Sequence, residues 1–151
     1  MSEPTKIDFH HRRIGQISDF TELIEMLFPG NRNQQHAAAC IFFELKWSDS
    51  IVPNLAYIET KYNVTRRILQ RARAKLSRLG LIEHVSYLNS RYGGQQGWKL
   101  SSRIGAALRQ LINRCRSFGD TADSSKEKDR ILLQLFDARR KVQHVCRTHG
   151  S

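Results

Sequence analysis

The segment from Arg66 to Arg78 carries the side chains of this sequence that are best suited to binding chemistry. Arginine and glutamine form paired hydrogen bonds with guanine and adenine edges in the major groove, whereas lysine and arginine neutralise phosphates. In a helix over residues 66–79, Leu69, Ala72 and Leu76 share one side, and the basic and amide residues lie opposite. The candidate DNA-binding residues of this segment are Thr65, Arg66, Arg67, Gln70, Arg71, Lys75 and Arg78.

The positive charges on the basic side of this predicted helix repel one another, which favours binding of an anionic partner. Arg67 and Arg71 stand four residues apart, a spacing at which like charges destabilise a helix. Residues 60–119 contain thirteen Lys and Arg residues but one acid, Glu83, so this segment carries the excess behind the formal net charge of +11. We expect residues near the helix start to contact bases, and Lys75 and Arg78 to meet phosphates or to pack at the rim.

The elements around this helix place it in a helix-turn-helix. A short helix from about Asn54 to Tyr62 precedes it, Thr65 is its predicted N-cap and Gly80 its C-cap. Residues 81–87 and 97–100 are predicted strands, joined by residues 88–96, which are rich in Asn, Ser and Gly. A hairpin in this place is a wing, and Arg91 and Tyr92 near its tip are candidate contacts to the minor groove or backbone.

Further helices are predicted on both sides. The first of these helices is expected to be capped by Ser18 or Asp19 and to end near Phe28. The second is expected to be capped by Asn33, to run through Trp47 and to form the spine of the core. Phe42, Phe43 and Trp47 are interpreted as core residues. The expected fold is mainly α with a small β-hairpin wing. It divides into a flexible segment 1–17, a winged helix-turn-helix domain 18–118, a linker 119–125 and a dimerisation helix 126–146.

The apolar residues of the C-terminal part predict a homodimer. The last helix repeats them at alternating intervals of four and three residues, as a coiled-coil seam does. The alternative is that this helix folds back onto its own domain. The predicted interface residues are Leu108, Leu111, Ile112, Ile131, Leu135, Ala138, Val142 and Val145.

Other function classes have little support in the sequence. The three cysteines and six histidines show no metal-ligand spacing, and we interpret the cysteines as mostly buried thiols. No acid pair, activated nucleophile or phosphate-binding loop indicates an enzyme, so no catalytic residue and no cofactor are predicted. No apolar run approaches a membrane span, and no secretory signal is evident, so the expected location is the cytoplasm.

Two stretches resemble the winged helix-turn-helix transcriptional regulators of the multiple antibiotic resistance regulator (MarR-like) type. They are NLAYIETKYNVTRRILQRARAKLSRLGLIEHV and GWKLSSRIGAAL, within a region of about residues 37–111. Residues 76–82 fit the family pattern L-x-x-L followed by G-L-I, and residues 100–105 are similar to its L-T-x-x-G motif. Asn89-Ser90-Arg91 replaces the acidic wing signature of that family. The resemblance implies a non-enzymatic homodimer that acts on a palindromic operator.

Two other hypotheses use the same elements. A replication or partition protein of a plasmid or virus would employ the same basic helix and wing. A winged-helix module that binds RNA or a protein would present the basic side to a different partner. Double-stranded DNA is the leading expected partner.

Overall fold

The computed structural model describes residues 9–86 and 94–148, with side chains given as far as residue 143. The described chain is mainly helical, and it divides into two compact units, Met1–Ala107 and Leu108–Ser151. The elements are α1 (His11–Gly15), α2 (Phe20–Leu27), α3 (Arg32–Lys46), α4 (Tyr57–Lys61), α5 (Arg66–Leu79), β1 (Ile82–Val85), β2 (Gly97–Leu100), α6 (Arg103–Phe118) and α7 (Asp123–Thr148).

Polar side chains begin the longer helices of the first unit. Asp19 Oδ1 accepts hydrogen bonds from the Thr21 and Glu22 amides at 2.8 and 3.0 Å, which starts α2 at the predicted place. The cap of α3 is Asn31, whose Oδ1 accepts from the Gln34 amide at 3.0 Å. The prediction of Asn33 as this cap is wrong, because Asn33 already lies inside the helix.

The bounds of α5 agree with the prediction from the sequence. Thr65 Oγ1 accepts a hydrogen bond from the Ile68 amide at 3.3 Å, and Gly80 ends the helix in the left-handed region with φ 83°. A Cβ atom at Gly80 would stand 2.8 Å from the Ile104 nitrogen, so glycine also allows the chain to approach the start of α6.

The core of the first unit is built around α3. This helix packs against α2, α5 and β2, and α5 packs in turn against α4 and β1. Two alanines, Ala37 and Ala38, are fully buried on α3 and permit close approach of its neighbours. The largest fully buried side chains are Phe28, Ile24, Ile41, Ile58, Leu76 and Ile82.

The two strands form an antiparallel pair in which Ile82 stands opposite Leu100. A third segment joins them, because Val52 and Trp98 exchange two backbone hydrogen bonds of 3.0 and 2.8 Å. Gly97 has φ 153°, and a Cβ there would overlap the Val52 carbonyl, so this bridge requires a glycine. The sheet therefore closes the side of the core left open by the helices.

A tight connection joins α4 to α5. Asn63 has φ 53°, in the left-handed region that asparagine tolerates. Val64 is buried, and its amide donates to the Glu59 carbonyl at 3.0 Å. The predicted helix from Asn54 to Tyr62 is shorter in the structure, since α4 spans Tyr57–Lys61.

Several other expectations differ from the structure. Phe43 and Trp47 are 44 % and 69 % exposed, so the prediction that they are core residues is wrong; Phe42 is half-buried and stacks on Phe20. The physical reason is their angular position, because the buried residues of α3 lie on the other side of the helix. Cys40 is buried as expected, whereas Cys115 is exposed.

Helix bounds near the ends of the chain also differ. The segment expected to be flexible contains the short helix α1, which His10 caps. At the other end, α7 begins at Asp123, inside the predicted linker. The Asp120 carboxylate accepts from the Ala122 amide at 3.1 Å, and this local turn leads directly into the helix.

Candidate nucleic-acid interface

One side of α5 is buried and the opposite side is exposed and basic. Leu69, Ala72 and Leu76 are at most 5 % exposed and face the core. The opposite side, called here the α5 basic face, consists of Arg66, Arg67, Gln70, Arg71, Ala74 and Arg78, all exposed. The structure thus brings together six of the predicted DNA-contacting positions, since Thr65, exposed as the N-cap, adjoins this face.

The arginines of the α5 basic face form no ion pair within 4.0 Å among the described residues. The ion pairs found within 4.0 Å in residues 9–86 and 94–143 involve other cations, such as Lys61 and Lys99. Uncompensated like charges on one helix face raise its free energy, and an anion bound there would offset this repulsion. The face is therefore electrostatically suited to a polyanion.

Two further cations flank this face and pack on aromatic rings. The Arg73 guanidinium carbon lies 5.2 Å from the centroid of the Trp98 ring on one side. The Lys75 ammonium lies 4.5 Å from the Phe28 ring on the other, and partial burial, ahead of the charge of Arg78, lowers the pKa of Lys75. Lys75 therefore lies at the rim of the face rather than at its centre.

A cluster around Glu44 of α3 fixes α4 beside α5. The Glu44 Oε1 atom accepts a hydrogen bond of 2.8 Å from the Tyr62 hydroxyl and lies 2.6 Å from the Lys61 ammonium. The Tyr57 hydroxyl donates to Oε2 at 3.4 Å. The carboxylate thus links α3 to both ends of α4.

The pKa values in this cluster follow from those contacts. The hydrogen-bonded Lys61 ammonium, ahead of the Tyr62 hydroxyl, lowers the pKa of Glu44. Burial, followed by the hydrogen bond to Glu44 and then by the charge of Glu44, raises the pKa of Tyr62 to about 12. Sequence reasoning did not identify Glu44 as a positioning residue. The available signal was a carboxylate among the apolar positions of the predicted second helix.

The C-terminal end of α5 is joined to the sheet and to the start of α6. The Arg103 Nη2 atom donates to the carbonyls of Ser77 and Ile82, each at 3.4 Å. Glu83 lies 2.9 Å from Lys99 and 3.6 Å from Arg103. These contacts hold the base of the hairpin against α5, whereas the predicted wing residues Arg91 and Tyr92 lie outside the described residues.

The predicted dimer residues lie on helices whose described side chains are not buried within the chain. Leu108, Leu111 and Ile112 of α6 are 41 %, 55 % and 51 % exposed. On α7, Ile131, Leu135, Ala138 and Val142 are exposed, and the side chain of Val145 lies outside the described part. These helices therefore present their apolar stripes to solvent in the single chain.

Sequence reasoning missed a second group of apolar residues on α7. Leu132, Leu133 and Phe136 are also exposed, although they lie roughly 100 to 200° around the helix from Ile131. Exposed apolar area of this extent marks interaction surfaces in monomeric chains. A signal was present in the run from Ile131 to Phe136, which has a single polar residue, Gln134.

Other kinds of site find no support in residues 9–86 and 94–148. No group of three or more His, Cys, Asp or Glu side chains is arranged to hold a metal ion there. None of the helices in this part is both long and apolar enough to cross a membrane. No protein-family model, curated protein or solved structure matches the chain.

Proposed function

We propose that this chain is a sequence-specific double-stranded DNA-binding protein of the winged helix-turn-helix class, which acts as a homodimeric transcriptional regulator. The observation that carries the proposal is the α5 basic face, where four exposed arginines and a glutamine lie together and the arginines form no ion pair within 4.0 Å in the described chain. A major groove accommodates one helix, and its base edges match these side chains.

The order of elements supports this class. Two helices joined by a tight turn, α4 and α5, precede an antiparallel pair of strands. Val52, which comes before α4 in the sequence, pairs with Trp98 of β2 and extends this small sheet. In proteins that bind DNA in this way, the second helix enters the major groove and the hairpin lies over the backbone or minor groove. The MarR-like resemblance of residues 54–85 points to the same class.

Different side chains take different roles in the proposed complex. Arg67, Gln70 and Arg71 stand in the first two turns of α5 and would contact base edges. Arg78, in the last turn, and Lys75, at the rim, would contact phosphates. The Glu44 cluster positions α4, so that α5 is presented at a fixed angle.

The proposed homodimer rests on the exposed apolar side chains of α6 and α7. Two copies would cover these stripes and place two recognition helices about 34 Å apart, on successive major grooves. Such a dimer doubles the phosphate contacts on one DNA molecule.

Selection of bound duplexes from a random pool tests the proposal. We expect enrichment of a symmetric site, whose affinity falls by about three to five decades between about 50 and 200 mM salt if six to ten phosphates are contacted. Recovery of no preferred duplex, or salt-independent affinity, would contradict the proposal. A structured RNA that competes better than the selected duplex would assign the face to RNA.

Single substitutions then test the roles of the residues. Arg67→Ala should cost roughly 1 to 3 kcal/mol on the selected site and relax base preference at one position. Lys75→Ala should weaken all sequences alike. Arg139→Ala on α7 removes the same charge outside α5 and serves as the control. Equal losses on selected and scrambled duplexes for Arg67→Ala would remove this residue from base readout.

A further inference from the structure

The solvent-facing side of α3 carries two large aromatic side chains that no core packing explains. Phe43 and Trp47 are one helical turn apart and are 44 % and 69 % exposed. The surface called here the α3 outer face consists of Arg32, His36, Ala39, Phe43 and Trp47, which lie within about 80° of one another around the helix axis. Exposed tryptophan and phenylalanine are the residue types that anchor protein interfaces.

A groove runs along the N-terminal half of this face. It has a volume of about 650 Å³ and lies between α1, α2 and α3. Its lining is mixed: Pro29 and Ala39 are apolar, most of the other residues are polar or charged, and Ile24 is 2 % exposed and offers almost no surface. The first half of the α3 outer face therefore offers a concave surface of mixed polarity, and the second half offers exposed aromatic rings.

We propose that the α3 outer face and its groove bind an acidic, amphipathic peptide segment of a partner protein. Arg13 and Arg32 line the groove, and the Lys46 ammonium lies 5.3 Å from the centroid of the Trp47 ring. Within the lining the two arginines outnumber the single carboxylate, Glu25, and Lys46 adds a cation beside Trp47. Arginine binds carboxylates with paired hydrogen bonds, so acidic side chains of the peptide would lie beside Arg32 and Lys46, while its apolar anchors pack on Phe43 and Trp47.

Nucleic acid fits this surface less well than a peptide does. The α5 basic face has four arginines and no carboxylate, whereas the groove combines two arginines with Glu25 and a lining of mixed polarity. A phosphate backbone would gain few counterion-releasing contacts here and would be repelled by Glu25. A peptide can place apolar side chains against Phe43 and Trp47 and keep its carboxylates near Arg32 and Lys46.

The position of the α3 outer face makes this interaction independent of the proposed DNA binding. Ala37, Ile41 and Leu45 of α3 are at most 6 % exposed and lie on the side that packs against the core, where α5 is the neighbour. The α3 outer face and the α5 basic face consequently point away from one another. A partner on α3 would leave the recognition helix accessible.

Display of random peptides against the full-length protein tests the inference. Peptides that also bind the double variant Trp47→Ser/Arg32→Glu are removed first, because acidic peptides will also bind the arginines of α5. We expect the remaining pool to be enriched in acidic residues spaced between apolar anchors. A synthetic copy of the most enriched peptide, carrying a fluorophore, then serves as the probe for anisotropy measurements.

Substitutions on the two faces give opposite results if the inference is correct. Trp47→Ser or Arg32→Glu should weaken the probe by about tenfold or more, as loss of an interface anchor does, and should leave affinity for the selected duplex unchanged. Arg67→Ala should do the reverse. Because Trp47 is exposed, Trp47→Ser should also keep the urea midpoint of the wild type.

Three results would overturn the inference. One is a selected pool without acidic enrichment or without any binder. Another is a probe whose affinity does not respond to Trp47→Ser. The last is a single-stranded oligonucleotide that binds at the α3 outer face, with an affinity lowered by Trp47→Ser, since this would assign the surface to nucleic acid. The proposed DNA binding by α5 is tested independently, by the duplex selection.

Discussion

The two units of this protein bury their apolar side chains to very different degrees. The first unit, up to Ala107, contains every side chain of the described core, and fully buried residues come from four of its helices and from β1. The described side chains of the second unit include none that is buried, although Leu133 and Phe136 are large and apolar. The first unit is therefore stabilised by its own core, whereas the second leaves its described apolar side chains exposed to solvent in the single chain.

The contrast has a physical origin in the helix patterns. An apolar stripe on a single helix gains free energy only where another surface excludes water from it. In the first unit, α3 meets α2, α5 and β2. On α7, Ile131 and Phe136 remain 50 % and 67 % exposed, so half or more of the hydrophobic free energy that their burial could provide is not gained within the single chain.

The largest effect is expected from a charge placed in the predicted coiled-coil seam of α7, called here the α7 seam, which consists of Ile131, Leu135, Ala138, Val142 and Val145. The chain has a mass of 17.5 kDa, and the proposed dimer has twice this mass. Leu135→Lys should convert this dimer into a folded monomer, as measured by sedimentation. Loss of the second recognition helix should lower affinity for a symmetric duplex by about a hundredfold or more. The first unit should keep its urea transition, because Leu135 lies outside it.

Gln143→Lys is the control for this charge. It introduces the same lysine on α7 at an exposed polar position that belongs neither to the seam nor to the group of Leu132, Leu133 and Phe136. We expect it to leave the dimer intact. A monomeric wild type at micromolar concentration, or a dimeric Leu135→Lys protein, would exclude the seam as the interface.

A smaller effect is expected when one leucine in each unit is truncated to alanine. The two substitutions should differ in how the loss of stability depends on protein concentration. Leu76→Ala removes a fully buried side chain and should lower the free energy of unfolding of the first unit by about 2 to 5 kcal/mol at any concentration. Leu111→Ala on α6, 55 % exposed in the chain, should act mainly through association, so its effect should be near zero at concentrations below the dimer Kd and should grow to a plateau above it. Urea titrations at two protein concentrations compare them. Concentration-independent destabilisation by Leu111→Ala would mean that α6 is covered within its own chain.

Local signals in the sequence were sufficient where a helix end is determined by its nearest neighbours. Thr65 and Gly80 fix α5 through contacts within three or four residues, so its bounds and its apolar side could be predicted. The same signals were ambiguous at α3, where Asn31 and Asn33 are chemically equal caps. The choice follows from tertiary contacts, such as the 2.8 Å hydrogen bond that Gln35 donates to the Phe28 carbonyl.

Residue type alone misled the prediction where the partner comes from a distant part of the chain. Phe43 and Trp47 were expected in the core because aromatic residues are commonly buried, but their position on α3 decides otherwise. Glu44, on the same helix, was not recognised, since its partners Lys61 and Tyr62 follow it by 17 and 18 residues. The arginines of the α5 basic face, in contrast, could be placed from helical periodicity.

The smallest expected effect concerns the Glu44 cluster, which joins α3 to α4 inside the first unit. The lowered pKa of Glu44 means that its ionised form is stabilised by folding; this contribution is present above the ordinary value of 4.5 and is lost as pH falls through the folded pKa. Glu44→Gln should therefore reduce stability near neutral pH and flatten the loss of stability in acid. We expect roughly 1 kcal/mol, because Lys61 is 55 % exposed and solvent screens its ion pair. Urea titrations across the acid range test this, with Asp129→Asn on α7 as a control for net charge. An acid dependence identical to that of the wild type would show that Glu44 does not stabilise the position of α4 through its charge.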